Sequence, residues 1–190
     1  AEYAIVGMGS LIDTAEATVD WIREEKGLKI GAVHMTCFRP FPSVEIVEAL
    51  KHVKGFSVIE RMDNPLSQSN PVTREIKAAF ADALIGMEGY PEISSIPDIY
   101  SGSAGLGSRD VHPGHFISVA QNMLKGREGR PYFTLGIKHE LDLGVGEDPG
   151  GSLRAFPPGE VVGPSSRSRD PNGLVASRDF RPHGIAALAD

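Results

Sequence analysis

The run Ala4-Ile5-Val6-Gly7-Met8 decides the fold class of this chain. It is short and almost entirely apolar, a pattern typical of a strand that other elements cover on both faces. Gly9 follows directly, and Asp13 with Glu16 three residues later predicts a capped helix start. Apolar residues at helical spacing then continue towards Gly27, so the chain passes from a buried strand into an amphipathic helix.

The same alternation of strand and helix repeats along the chain. Further strands are predicted over 29–36, 56–59, 98–101 and 132–137, with helices over 43–52, after Asn70-Pro71 and after Pro113. Asparagine followed by proline is typical of an N-cap with proline in the first helical turn. Five short strands alternating with four helices predict a three-layer α/β fold, with a mostly parallel five-stranded sheet and helices on both faces.

Composition excludes several classes of protein. The net charge of −6 argues against a nucleic-acid-binding surface, which needs a basic excess. No apolar run reaches the ~18 residues of a membrane-spanning helix, and no signal-peptide pattern opens the chain. Cys37 is the single cysteine, so an internal disulfide is impossible. Together these features predict a cytoplasmic protein.

Glycine and proline concentrate in the last part of the chain. Residues 146–190 hold 7 Gly and 6 Pro in 45 positions, with five arginines, no lysine and no amphipathic period. We therefore predict a folded domain at 1–145 and a poorly ordered or non-native tail at 146–190. Because the first strand begins almost at the first residue, we also expect the chain to be part of a longer protein.

The segments that follow the strands carry the candidate binding residues, because ligands of parallel sheets bind at the carboxyl ends of the strands. Gly9 and Ser10 follow the first strand, but the third glycine of a dinucleotide-binding motif is replaced by Ile12. The favoured interpretation there is a tight turn, and nucleotide binding is the minority alternative.

Charged residues follow the second and third strands. Arg39, Glu60, Arg61 and Asp63 are expected at the same edge of the sheet, and an ion-pair network or a subunit interface is the favoured interpretation. The alternative is contact with an anionic phosphate or carboxylate group. The glycine-rich segment 101–110, which contains Arg109, is equally compatible with an anion cradle and with close packing against a neighbouring domain.

The remaining reactive side chains do not form a recognisable catalytic set. His112 and His115 have metal-ligand spacing but no obvious further ligands, so surface histidines are the favoured interpretation. Cys37 lies three positions after His34, and an odd difference in position places two side chains on opposite faces of an extended chain. We therefore expect the chemistry that this chain supports to reside elsewhere, and predict no catalytic residue and no metal ligand within it.

Several motifs in one order resemble a known family. They are Ala4-Ile5-Val6-Gly7-Met8-Gly9-Ser10, Phe38-Arg39-Pro40-Phe41, Val58-Ile59-Glu60-Arg61-Met62-Asp63-Asn64-Pro65 and the segment 102–110. Together they resemble the second domain of pyruvate:ferredoxin oxidoreductases and related 2-oxoacid:acceptor oxidoreductases, a domain similar to the C-terminal domain of transketolase. The resemblance covers about residues 3–140 and departs after about Gly151. We hypothesise that the sequence beyond this point comes from a shifted reading frame or a broken gene end. Translation of the same DNA in the other two reading frames tests this hypothesis.

The resemblance implies a function for a larger assembly. Such enzymes use thiamine diphosphate, coenzyme A and iron–sulfur clusters to decarboxylate a 2-oxoacid oxidatively and reduce ferredoxin. The partners implied are the other domains or subunits of the oxidoreductase, and the isolated chain is expected to be inactive and to bind no cofactor tightly. The candidates for cofactor contact in the whole enzyme are Gly9, Ser10, Arg39, Arg61 and Arg109. The alternatives are a 2-oxoacid dehydrogenase β-subunit domain and a stand-alone binding or assembly module with an anion-binding loop at 102–110.

Overall fold

The computed structural model describes residues 1–64, 66–67 and 69–136. The predicted tail at 146–190, and Ile137 at the end of the predicted fifth strand, lie outside the described residues. The strands are β1 Tyr3–Met8, β2 Ile30–Met35, β3 Gly55–Glu60, β4 Asp98–Ser103 and β5 Tyr132–Thr134, and the helices are α1 Ser10–Lys26, α2 Ser43–Leu50, α3 Pro71–Leu84 and α4 Pro113–Leu124. No helix in the described ranges has both the length and the apolarity needed to cross a bilayer.

All five strands form one parallel sheet in the order β2-β1-β3-β4-β5. The helices pack in two layers, with α1 and α4 on one face and α2 and α3 on the other. The predicted three-layer α/β fold is confirmed. Burial on both faces explains the unbroken apolar strands: Ile5 and Ile59 contribute to the core beneath α1 and α4, whereas Val6 and Val58 contribute to the opposite core.

Helix α1 begins earlier than the sequence predicts. Its N-cap is Gly9, whose φ of 71° turns the chain into the helix immediately after β1. Asp13 therefore lies in the first turn of the helix, and its predicted role as the N-cap is wrong. The starts of α3 and α4 at Pro71 and Pro113 are as predicted, with Asn70 and His112 as their N-cap residues.

The sheet is packed most tightly around Gly102. In the strand register this residue lies between Ile59 of β3 and Phe133 of β5. A methyl group at position 102 would lie 2.5 Å from the Phe133 ring and 2.7 Å from Ile59 Cδ1, closer than any unstrained contact. Only glycine lets these two buried side chains meet across β4.

We expect Gly102→Ala to lower the free energy of unfolding by about 1–3 kcal/mol, because the added methyl group overpacks a filled core. Phe133→Leu should partly relieve the clash, giving a coupling free energy of at least about 0.5 kcal/mol in a double-mutant cycle. Urea denaturation of the wild type, both single variants and the double variant measures this. Strictly additive effects would contradict the proposed contact.

Candidate functional site

The carboxyl ends of β1 and β3 define the candidate site. From these two neighbouring strands the chain continues into helices on opposite faces of the sheet. In parallel sheets this arrangement places a ligand-binding crevice at the carboxyl ends of the two strands. The register pairs Gly7 with Ile59. Gly9 and Arg61 each follow two residues later, so both lie just beyond the carboxyl ends of these paired strands.

The β1 wall is the amino end of α1. Gly9 and Ser10 are exposed, and Gly9 has no side chain with which to cap the helix. The amides of the first turn and the positive end of the helix dipole therefore favour negative charge at this position. The predicted residues Gly9 and Ser10 lie where an anionic group would meet backbone N–H donors.

The β3 wall carries Arg61, which connects two loops. Its Nε donates to the backbone carbonyl of Gly105 at 3.3 Å, and the remainder of the side chain is solvent-exposed. Arg109 lies in the same β4–α4 loop and donates from Nη1 to the carbonyl of Leu106, also at 3.3 Å. The structure thus associates Arg61 and Arg109 with one loop, in which each uses one N–H to bind a loop carbonyl.

Arg39 has a different environment. Its Nη2 forms an ion pair of 2.8 Å with Glu75 of α3, and its guanidinium lies 4.0 Å from the centre of the Phe38 ring. It also donates to the carbonyl of Phe38 at 2.9 Å. These contacts direct Arg39 towards Glu75 of α3.

Glu60 differs most from its predicted environment. We expected it in a loop ion-pair network with Arg39, Arg61 and Asp63, but its side chain is buried and directed at the amino end of α3. Its carboxylate accepts from the backbone N–H of Val72 at 2.9 Å and of Thr73 at 3.0 Å, and from the Thr73 hydroxyl at 3.0 Å. A carboxylate from the sheet therefore takes the place of an anion at this helix end.

A buried polar network that the sequence pattern did not predict lies next to that carboxylate. The side-chain amide of Asn70 donates from Nδ2 to the carbonyl of Met62 at 3.1 Å and to Ser103 Oγ at 2.9 Å. The backbone N–H of Asn70 donates to Ser101 Oγ at 3.0 Å. Ser103 in turn donates to Asp63 at 3.2 Å. The available signal was a buried strand in which serine recurs at every second position.

The other reactive side chains have structural partners. His115 Nδ1 accepts from the backbone N–H of His112 at 3.1 Å, so this pair helps to order the start of α4. The Cys37 thiol donates to the Arg39 carbonyl at 3.3 Å, whereas His34 lies 3.8 Å from Glu16. In the described ranges, no group of three histidine, cysteine, aspartate or glutamate side chains is placed to hold a metal ion.

Comparison with known proteins shows which family and which proteins this chain is similar to. Residues 1–115 match the family model of pyruvate:ferredoxin oxidoreductase core domain II. The pyruvate synthase subunit PorA of Pyrococcus abyssi is 36% identical over 145 residues, which cover 74% of this chain and 34% of that protein. The ketoisovalerate oxidoreductase subunit VorA of Pyrococcus furiosus is 34% identical over 125 residues, 66% of this chain and 29% of that protein.

A longer relative shows the same partial coverage. The pyruvate-flavodoxin oxidoreductase of Enterobacter agglomerans is 30% identical over 138 residues, which cover 72% of this chain and 11% of that protein. The chain therefore spans between about a tenth and a third of the length of these three relatives.

We expect Glu60→Gln to lower the free energy of unfolding by about 1–3 kcal/mol, because the amide cannot accept all three buried hydrogen bonds of the carboxylate. Glu92→Gln is the control, since Glu92 is exposed and lies outside this network. Urea denaturation at neutral pH measures both variants. Equal unfolding midpoints for the two variants would show that Glu60 does not stabilise α3.

We expect His115 to make stability fall with acidification. Burial of its ring and the proximity of His112 hold the pKa of His115 below its ordinary value of 6.5. The unfolded chain therefore takes up the proton first as the pH falls, so this contribution is complete above 6.5 and is lost as the pH falls towards the folded-state pKa. Urea midpoints between about pH 8 and about pH 5 measure it. His115→Gln should flatten the dependence, and an unchanged slope would contradict this assignment.

Proposed function

Since this chain belongs to the family of pyruvate:ferredoxin oxidoreductase core domain II, we propose that it serves as that domain in a thiamine-diphosphate-dependent 2-oxoacid oxidoreductase. The reaction proposed for the whole enzyme is oxidative decarboxylation of a 2-oxoacid to an acyl-coenzyme A, with electrons passed to ferredoxin. The observation that carries the proposal is the match over residues 1–115, which includes β1 to β4 and both walls of the crevice.

The described residues do not supply the ligand sets that an iron–sulfur cluster or a cation-bound diphosphate needs. An iron–sulfur cluster needs several cysteine thiolates, and the chain contains one cysteine. A divalent cation that carries a diphosphate needs carboxylate or similar ligands, and the described residues hold no group of three or more histidine, cysteine, aspartate or glutamate side chains placed to bind a metal ion. We therefore assign the clusters and the principal thiamine diphosphate site to other domains or subunits, and derive no reaction step through either cofactor in this chain.

The groups of this chain that could meet an anion are backbone amides and arginines beyond the carboxyl ends of the strands. Gly9 and Ser10 present the amino end of α1, and Arg61 with Arg109 adds exposed guanidinium groups from the neighbouring loops. We propose that these four residues border an anionic group held mainly by an adjacent domain, such as a phosphate of thiamine diphosphate or coenzyme A. Arg39 instead holds α3 through Glu75.

The proposed role is therefore assembly of a site and not catalysis. Glu60 and Asn70 hold the β3–α3 loop against α3 and β4, so Arg61 projects from a fixed backbone. The partners proposed are the remaining domains or subunits of the oxidoreductase and, through the whole enzyme, ferredoxin. A cytoplasmic location accompanies this proposal, supported by the lack of any cysteine pair to oxidise.

We expect Arg61→Ala, made in the complete oxidoreductase, to lower kcat/KM by roughly tenfold, as loss of one charge-assisted hydrogen bond to an anionic group predicts. Arg127→Ala is the control, because Arg127 is equally exposed but follows α4 at the opposite edge of the sheet. Coenzyme-A-dependent dye reduction with pyruvate or a branched 2-oxoacid measures activity. Absence of activity with every 2-oxoacid rejects the proposed reaction, and equal activities of the two variants reject the proposed crevice.

A further inference from the structure

A rigid turn after α3 exposes three large apolar side chains. Leu84, Ile85 and Met87 are 45%, 76% and 46% exposed, although they lie within four consecutive residues. Single exposed apolar residues are common on soluble proteins and need no explanation. Three on one short turn form a patch, which we call the α3 turn patch, and such patches commonly mark interaction surfaces.

The turn is held in place by its backbone and not by these side chains. The N–H of Gly86 donates to the carbonyl of Ala83, and the N–H of Met87 donates to the carbonyl of Asp82, each at 3.0 Å. Gly86 has a φ of 74°, which completes a Schellman motif. The outward direction of the α3 turn patch is therefore fixed before any partner binds.

One of the two positions that commonly receive the apolar contact of this motif is polar here. In a Schellman motif the residue after the left-handed glycine commonly packs against an apolar residue five or six positions earlier. Here that residue is Met87, and the polar position is Asp82, whose carboxylate accepts from the Tyr90 hydroxyl at 3.4 Å. Met87 is 46% exposed, so much of its apolar side chain remains available to a partner.

Acidic residues flank the α3 turn patch in the sequence. Residues 78–108 contain no lysine or arginine, but include Asp82, Glu88, Glu92 and Asp98. Glu88 and Glu92 are exposed and follow the patch directly. A complementary partner surface must therefore be apolar at its centre and bear lysine or arginine at its rim. Two copies of this chain would oppose like charges, and an anionic membrane would repel the same rim.

We propose that the α3 turn patch docks onto an apolar, basic-rimmed surface of another domain or subunit of the same oxidoreductase. This occupant rests on the proposed function, since the chain spans at most 34% of the relatives compared and the rest of such an enzyme must contact it somewhere. The patch lies at the carboxyl end of α3, whereas the crevice of Arg61 lies beyond the amino end of the same helix. The docking surface is therefore separate from the proposed cofactor-facing crevice.

Site-specific photo-cross-linking in the complete enzyme tests this inference. The variant Ile85→p-benzoylphenylalanine is irradiated in the assembled oxidoreductase, and the cross-linked peptides are identified by mass spectrometry. We expect products that join position 85 to a lysine- or arginine-bearing segment outside residues 1–190. The control is Leu124→p-benzoylphenylalanine, because Leu124 is also 46% exposed but ends α4 and not α3; it should give no such product.

A charge variant tests the rim. Adding Glu88→Gln and Glu92→Gln should lower the cross-link yield roughly threefold and remove its dependence on salt, as loss of exposed ion pairs predicts. Cross-links confined to residues 1–190, or joining isotopically distinguished copies of this chain, would overturn the inference, as would no cross-link at all. The 2-oxoacid assay of the same preparation reports on the proposed function separately: an active enzyme without the cross-link rejects the docking surface alone, and a cross-linked enzyme without activity rejects the function alone.

Discussion

The Glu60 carboxylate is the contact on which the functional edge of this domain depends. It lies at the end of a central strand, where a charge without partners would cost several kcal/mol to bury. Two backbone amides and one hydroxyl of α3 satisfy it, and the positive end of the helix dipole favours the same charge. Hydrogen bonds therefore join strand β3 to helix α3, in addition to apolar contacts like those between the other elements.

Those bonds determine the course of the loop between the two elements. Hydrogen bonds hold Glu60 at the start of this loop and, through Ser101 and Ser103, Asn70 at its end. Arg61 leaves the sheet at this point and reaches the β4–α4 loop through Gly105. Glu60 and Arg61 are adjacent in sequence, but the Glu60 side chain contacts the amino end of α3 and the Arg61 side chain contacts the β4–α4 loop.

Much of the fold was predictable because burial on both faces leaves a simple pattern. The apolar strands, the proline-led starts of α3 and α4 and the five-stranded parallel sheet were all predicted correctly. The start of α1 was predicted incorrectly. Asp13 and Glu16 have the spacing of a capping box, but the helix already begins after Gly9. The positions of Gly9, Ser10 and Arg61 at one edge followed from parallel topology alone. The polar network around Asn70 did not follow, because serine and threonine give no apolar period to detect.

The sequence by itself determined the layered α/β architecture and the family, because hydrophobic periodicity and ordered motifs are local properties of the chain. Only the tertiary structure decided what each charged residue does. Glu60 caps a helix, Arg39 braces Glu75, and Arg61 crosses to another loop. These choices depend on distances between residues far apart in the chain, and the strength of a charge interaction depends on burial and on partners that only folding brings together.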